Sequence, residues 1–316
     1  MIVPRCLDPA HLWRLVCRAF YVDRWNVGVV DAPIHQFLDP SFVPLIRWLP
    51  DRKLRSYRAD PFLIVAADAL TVAFEEYDFF RMRGRISSFT IKNGEVSAAS
   101  PVIDNGRHMS YPYVVRHCGA VYLIPETWDR GELAIYSFDA SARRWRNSAT
   151  ILSNFAAVDA TLVRFDGRWW MFCGNQADSP MSKLYLWYSD DLFGPWRPHA
   201  ANPVKDDVSC SRSGGTPFVH QGVLYRPAQD NRETYGGSIV VNRVVRLTTT
   251  AFREESVSQV RPAANGRYPR GLHTVAQAGG ITLVDGRRRD LALHLCVQKV
   301  RIKLREQPSR HWRRTR

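Results

Sequence analysis

The chain has 316 residues, 45% of them hydrophobic and 23% charged, which supports a large folded core and excludes a disordered or low-complexity polymer. Lys and Arg outnumber Asp and Glu by 44 to 30, a formal charge of +14 that suits anionic partners such as phosphorylated sugars, nucleic acid or an acidic membrane surface. Six cysteines without CxxC or other ligand spacing read as reduced thiols, so no disulfide framework, metal site or cofactor is expected and a cytoplasmic setting is.

In chain order, residues 8–20 carry apolar residues at helical spacing (Leu12, Leu15, Val16, Phe20) behind Asp8 as N-cap and Pro9. They lack the continuous apolar run of a signal peptide. Residues 25–30, WNVGVV, read as a strand, and the Pro-rich stretch 31–50 crosses to the first of five hairpins. That hairpin begins at Asp60-Pro61-Phe62, turns near Ala67-Asp68 and returns to Glu75-Glu76. A second runs from Ser110-Tyr111-Pro112 through Cys118-Gly119 to Glu126, and a third from Asp159 through Asp166-Gly167 to Gly174-Asn175. Asp-Gly between apolar strands is a strong turn signal, because glycine accepts the positive φ of a tight hairpin. The fourth starts at Gly214-Gly215, turns at Gln221-Gly222 and ends at Gln229-Asp230; the fifth runs from His273 through Gly279-Gly280 to Asp285 and Arg287.

In the first three hairpins the polar strand ends lie 16 residues apart, pairing Asp60 with Glu76, Ser110 with Glu126 and Asp159 with Asn175. Units recur at roughly 50 to 57 residues, a period typical of propeller blades. The expected fold is therefore all-β: a five-bladed β-propeller over residues 51–300, with blades near 58–104, 108–154, 157–206, 211–262 and 270–300. Residues 1–50 form a short helical and strand extension whose strand 25–30 closes the ring beside residues 291–300. Residues 301–316 hold seven Lys or Arg against one Glu; they are expected to be a disordered basic tail or a peripheral anchor for anionic lipid. No aromatic-interleaved basic surface or nucleic-acid motif is present, so nucleic acid is not the expected partner.

The segments RADPF (58–62), FEEY (74–77), SYPYV (110–114), YLIPET (122–127), VDATL (158–162), DGRWWMF (166–172), YRPAQD (225–230) and GLHT (271–274) carry a resemblance. Together they resemble the N-terminal domain of plant glucosamine inositolphosphorylceramide transferase and its stand-alone bacterial relatives, over about residues 25–288. The blade motifs are also similar to those of the five-bladed arabinanase, xylosidase and invertase glycoside hydrolases. That likeness implies a blade 1 base at Asp60 and a blade 3 carboxylate at Asp159 that orients and tunes. The blade 4 acid of those hydrolases has no match here, where Gly214-Gly215-Thr216-Pro217 stands.

Equivalent strand ends of a propeller converge on one mouth of its channel, so that mouth is the expected site. Cleaving or transferring a glycosyl group needs one carboxylic acid and one carboxylate. The catalytic candidates are Asp60, Asp159, Glu126 and Glu76. The substrate-binding candidates are Glu75, Ser110, Asn175, Arg212, Gln229, Asp230, His273 and Arg287. Plainer roles are open to several: Asp60 as a cap at a strand entry, Glu126 as a hydrogen-bonded structural acid, His273 as a satisfied core histidine. The expected activity is on a glycan or glycoconjugate, with a glycan or sugar phosphate as ligand; the alternative is a non-catalytic sugar-binding propeller that serves a glycosyltransferase partner.

Overall fold

The computed structural model describes residues 20–51, 55–66 and 69–292. It is a five-bladed β-propeller. Along the chain come β1 (Tyr21–Val30) and β2 (Ile46–Trp48), then blade 1 with β3 (Ser56–Ala66), β4 (Leu70–Asp78), β5 (Arg83–Lys92), β6 (Glu95–Val96) and β7 (Ser100–Ile103). Blade 2 holds β8 (Ser110–His117), β9 (Ala120–Glu126), β10 (Glu132–Asp139) and β11 (Arg144–Ser153). Blade 3 holds β12 (Ala157–Phe165), β13 (Arg168–Asn175), β14 (Lys183–Ser189), β15 (Arg197–Pro198) and β16 (Lys205–Asp206). Blade 4 holds β17 (Phe218–His220), β18 (Val223–Asp230), β19 (Ser238–Leu247) and β20 (Phe252–Val260), and β21 (Val275–Ala278) with β22 (Ile281–Leu291) opens blade 5. Each blade is an antiparallel sheet ordered from its inner hairpin outward.

The inner hairpins share their turn chemistry. Cys118-Gly119, Asp166-Gly167 and Gln221-Gly222 all have positive φ at both positions, the two-residue geometry whose twist matches that of the flanking strands. The expected first turn at Ala67-Asp68 lies outside the described residues, as do residues 1–19 and the tail.

Ring closure differs from expectation in its partner strand. β1 pairs with β22, from Tyr21 opposite Leu291 to Val30 opposite Thr282, and β2 pairs outside β1. The return strand of the last hairpin runs unbroken for 11 residues, so it accepts the N-terminal strand itself; residues 293–300 lie outside the described residues. The segment before blade 1 thus supplies two outer strands of blade 5. The outer strand of blade 3 is short, since β15 covers two residues.

Blades meet through apolar side chains. Phe62 and Phe74 of blade 1, Tyr113 of blade 2, Leu162 and Met171 of blade 3 and Leu283 of blade 5 share one buried cluster. Each such side chain contributes about 1.5–3 kcal/mol by leaving water. At the junction of blades 4 and 5 the backbones touch: Gly215 bridges Val275 in parallel, and a Cβ there would stand 1.9 Å from the Val275 carbonyl oxygen. Only glycine fits. The blade 4 position without an acid is therefore where the ring is drawn tight.

Candidate functional site at the acidic mouth

Three inner strands are broken by the same bulge. Ala59 pairs with Glu75 and the next pair is Phe62 with Ala73; Ser110 pairs with Glu126, then Tyr113 with Ile124; Val158 pairs with Gly174, then Thr161 with Phe172. Two residues on the inner strand oppose one on its partner, which bends the strand and re-aims a side chain. The first bulged residue has positive φ in each case: 51° at Asp60, 42° at Tyr111 and 48° at Asp159. A left-handed conformation costs a residue other than glycine about 1–2 kcal/mol, so surrounding contacts must hold it.

Those contacts link all five blades. Asp285 of blade 5 accepts the Asp60 N–H on Oδ2 at 3.1 Å, and Glu126 of blade 2 accepts the Asp159 N–H on Oε2 at 2.7 Å. In both cases an acid on one blade's second strand holds the strained amide of the next blade. Asp60 accepts Thr274 Oγ1 at 2.8 Å and the Tyr111 N–H at 3.3 Å. The Tyr111 hydroxyl accepts the Gly215 N–H at 2.9 Å and meets Thr161 Oγ1 at 2.9 Å, so a phenol from blade 2 reaches blade 4 across the axis. Asp159 accepts Arg212 Nε at 2.7 Å and Gln229 Nε2 at 3.0 Å, and Ser110 donates to Glu126 at 3.0 Å.

His273 is fixed on one side. Its Nδ1 lies 2.6 Å from Asp285 Oδ2 and 3.8 Å from Asp60 Oδ1, and its ring stacks on Trp25 at 3.7 Å. Asp285 also accepts the backbone N–H groups of His273 and Thr274. The Tyr235 ring stands edge-on to His273 and lies 5.3 Å from the Arg212 guanidinium. Arg287 lies 5.4 Å over Trp25 and donates to Thr234 and to the Arg270 carbonyl.

The electrostatics separate the acids. Burial, followed by the charge of Asp159, pushes Glu126 up to about 8, so it is protonated at neutral pH. Burial pushes Glu75 well above the usual carboxylate range, with further pressure from Asp60, Glu126, Asp159 and Asp285. Asp60 rises to about 6, because burial outweighs the opposing pull of His273. Burial works to lower the His273 value, yet Asp285 and Asp60 overcome it and hold the imidazole above its ordinary range. The mouth therefore holds a protonated Glu126, an Asp60 that titrates near neutrality, and a Glu75 and a His273 whose proton affinities are both raised. Among the described residues nothing hydrogen-bonds the Glu75 carboxyl or His273 Nε2. Asp60, His273 and Asp285 each place one potential ligand atom within 4.8 Å of the others, a set able to hold a cation, although the His273 nitrogen is already spent on Asp285.

The structure gathers Asp60, Glu75, Ser110, Glu126, Asp159, Arg212, Gln229 and His273, and sets Arg287 against Trp25 beside them. It places three candidates elsewhere. Glu76 faces away from Glu75 along the strand and binds Arg85 at 2.9 Å and Ser87 at 2.7 Å. Asp230 likewise faces away from Gln229 and binds Arg232 at 2.7 Å and Gln259 at 3.0 Å. Asn175 accepts the N–H of Ala177 in a turn of its own. The cause is the bulge: the structural equivalents are Asp60, Tyr111 and Asp159 on the inner strands and Glu75, Glu126 and Gly174 on the second. The spacing of 16 is real, but it joins Ala59 to Glu75 and Val158 to Gly174, one residue before the expected pairs in blades 1 and 3. Trp25, Tyr111, Tyr235, Thr274 and Asp285 are not among the sequence candidates, and of these Asp285 alone carries a signal, as the polar end of the fifth hairpin.

The fold and this network define a five-bladed propeller with an acid-rich mouth. A profile described as "Glucosamine inositolphosphorylceramide transferase 1, N-terminal" matches residues 52–269, and the chain belongs to that family. The rice (Oryza sativa subsp. japonica) glucosamine inositolphosphorylceramide transferase 1 is 31% identical over 249 residues, which are 74% of this chain and 33% of the plant protein. The Arabidopsis thaliana protein of the same name is 32% identical over 209 residues, 64% of this chain and 27% of its own length. The chain thus spans about a third of the relatives it matches. Among solved structures, the family 117 glycoside hydrolase Zg3597 of Zobellia galactanivorans shares the fold, with a TM-score of 0.51 at 14% identity over 86% of this chain and 92% of that one.

Proposed function

We propose that the mouth binds the sugar of a glycan or glycoconjugate and carries acid and base groups for cleaving or transferring a glycosyl unit. The names of the plant relatives, which join glucosamine to inositolphosphorylceramide, support a ligand that combines sugar and phosphate. The observation that carries the reading is the set Asp60, Glu75 and Glu126, buried together with raised proton affinities and only partly neutralised. Like-charged carboxyls held together are unfavourable for folding alone, and such clusters concentrate at functional sites.

In this reading Asp60, titrating at about 6, takes a proton from the attacking group. Glu75, whose proton affinity burial raises, or His273 through Nε2, gives one to the leaving oxygen. Arg212 orients Asp159, while the exposed Tyr235 ring offers an apolar face to a sugar. Glu126 and Asp285 act as positioning residues, since each holds the strained amide of a neighbouring acid.

A second reading has its own support: Gly215 occupies the blade 4 position where the similar hydrolases keep their acid. The mouth would then recognise sugar for a partner glycosyltransferase without turnover. Calorimetric titration and product analysis across glycosides and sugar phosphates, on wild type and Asp60→Asn, separate the two. Asp60→Asn should abolish product while binding stays within about threefold, because the amide keeps the shape but cannot act as a base. Wild-type binding without product across the panel would leave only the recognition reading.

A further inference from the structure

Two blades overrun the mouth on one side. Asp285 and Glu75 mark its level, yet β22 continues to Leu291, paired with Tyr21 at the start of β1, while β3 begins at Ser56 opposite Asp78. Six residues of strand beyond Asp285 rise about 20 Å. The overruns pack on each other through Val22, Phe79 and Ala292, with Tyr57 and Tyr77 against them, and so stand as a wall beside the mouth.

The crest of that wall is apolar and basic at once. Phe20, Phe80, Met82 and Leu291 are 37%, 39%, 43% and 50% exposed. The Arg55 guanidinium lies 5.7 Å over Phe80. Arg55 and Arg81 meet their acids only at 3.5 and 4.0 Å, and with Arg85, Ser56, Glu76 and Asp78 they line a cavity of about 210 Å³. At the crest the Ala292 N–H donates to the Phe20 carbonyl at 2.8 Å, joining the end of β22 to the start of β1. Among the described residues no helix is long and apolar enough to cross a membrane.

We propose that this crest is a docking surface for an anionic phospholipid bilayer, which it meets with the mouth turned toward the headgroups. Exposed apolar side chains beside arginines suit the boundary between headgroups and acyl chains, where apolar burial and attraction to anionic lipid act together. A nucleic acid would use the arginines but not Met82 or Leu291. The docking is independent of the sugar reading; only the orientation connects them, by bringing a lipid-borne sugar to the acids.

Co-sedimentation of the full chain with phosphatidylcholine vesicles, with and without phosphatidylserine, tests it. Partitioning should require phosphatidylserine and should weaken at least about tenfold in Arg55→Glu combined with Arg81→Glu. Met82→Ser combined with Leu291→Ser, neutral changes that remove only the apolar contact, should weaken it similarly at unchanged salt dependence. All four positions are exposed, and melting curves check that each variant is folded. Equal partitioning into neutral vesicles, crest variants that bind like wild type, or loss confined to deletion of residues 301–316 would each overturn the proposal. Soluble-sugar titration on the crest variants should match wild type, so failure of docking and failure of the sugar site are read separately.

Discussion

Two groups of buried carboxylates in this molecule, one in blade 4 and one at the mouth, are compensated in opposite ways. In blade 4, Glu254 accepts Arg226 on both oxygens, at 2.9 and 2.5 Å, and Lys205 at 2.9 Å, while Arg226 also satisfies the carbonyls of Cys210 and Ser211. Burial pushes its proton affinity up, but the two cations prevail and Glu254 lies below its ordinary range. At the mouth, Arg212 serves Asp159 and His273 serves Asp285, and among the described residues no cation remains within hydrogen-bonding reach of Glu75. A buried acid with a full complement of partners builds structure. A buried acid short of partners is held ready for something else.

Removing the compensation should hurt most where it is complete. Arg226→Met is expected to cost about 3–5 kcal/mol, because Glu254 would keep only Lys205 in the blade interior and the buried Cys210 and Ser211 carbonyls would lose their donor. Glu75→Gln, by contrast, removes an acid that crowds its neighbours, and should leave stability at pH 8 unchanged or higher. Denaturant unfolding of both variants makes the comparison. An Arg226→Met protein as stable as wild type would mean that Glu254 protonates at little cost and that the two places are alike.

The same division separates the legible from the illegible in the sequence. Turn dipeptides and the repeat period announce the blades, because each hairpin writes its own turn chemistry and alternation locally. The bulge is invisible to that alternation: two residues opposing one leave no mark in the composition, so the spacing points to Glu76 where Glu75 faces the site. Asp230 accompanies Gln229 among the candidates for a related reason, since adjacent strand residues point opposite ways. Trp25 beside His273 depends on ring closure across the whole chain, and Arg226 with Glu254 depends on a cross-strand neighbour 28 residues away. These are tertiary facts, and single-strand patterns do not carry them.

The same difference should show in the response to pH. Asp60 at about 6 and Glu126 at about 8 lie above their ordinary values of 3.8 and 4.5, and Glu75 is raised in the same direction. The folded protein keeps protons that the unfolded chain would release, so this stability is complete below about pH 4 and is lost as pH rises through about 6 and 8. His273, raised as well, adds the same sign. Glu254 and Asp230 are lowered and act the other way, but only as pH falls through the acidic range. Melting temperature should therefore decline between about pH 6.5 and 8, above the range where the lowered His108 and His199 act the other way, and Glu126→Gln should flatten the decline. A wild-type profile flat across that window would show that the mouth acids are compensated after all.

The smallest effect should come from the rim, one residue away from the site. Asp230 and Gln229 are neighbours on β18, but Asp230 is lowered, first by its hydrogen bonds to Arg232 and despite its partial burial, while Gln229 donates to Asp159 and to the Ser213 carbonyl. Arg232 is 56% exposed on its side chain, and exposed ion pairs contribute about 0–1 kcal/mol. Arg232→Ala should thus shift stability by less than about 1 kcal/mol and leave ligand affinity unaltered. Gln229→Ala should weaken sugar binding by about tenfold, since Asp159 loses a donor and the Ser213 carbonyl is left unpaired within a buried network. Calorimetry on the two variants decides the matter. If Arg232→Ala cost the more binding of the two, the ligand would lie on the Asp230 face of blade 4, and the division between a mouth that acts and a rim that supports would have to be redrawn.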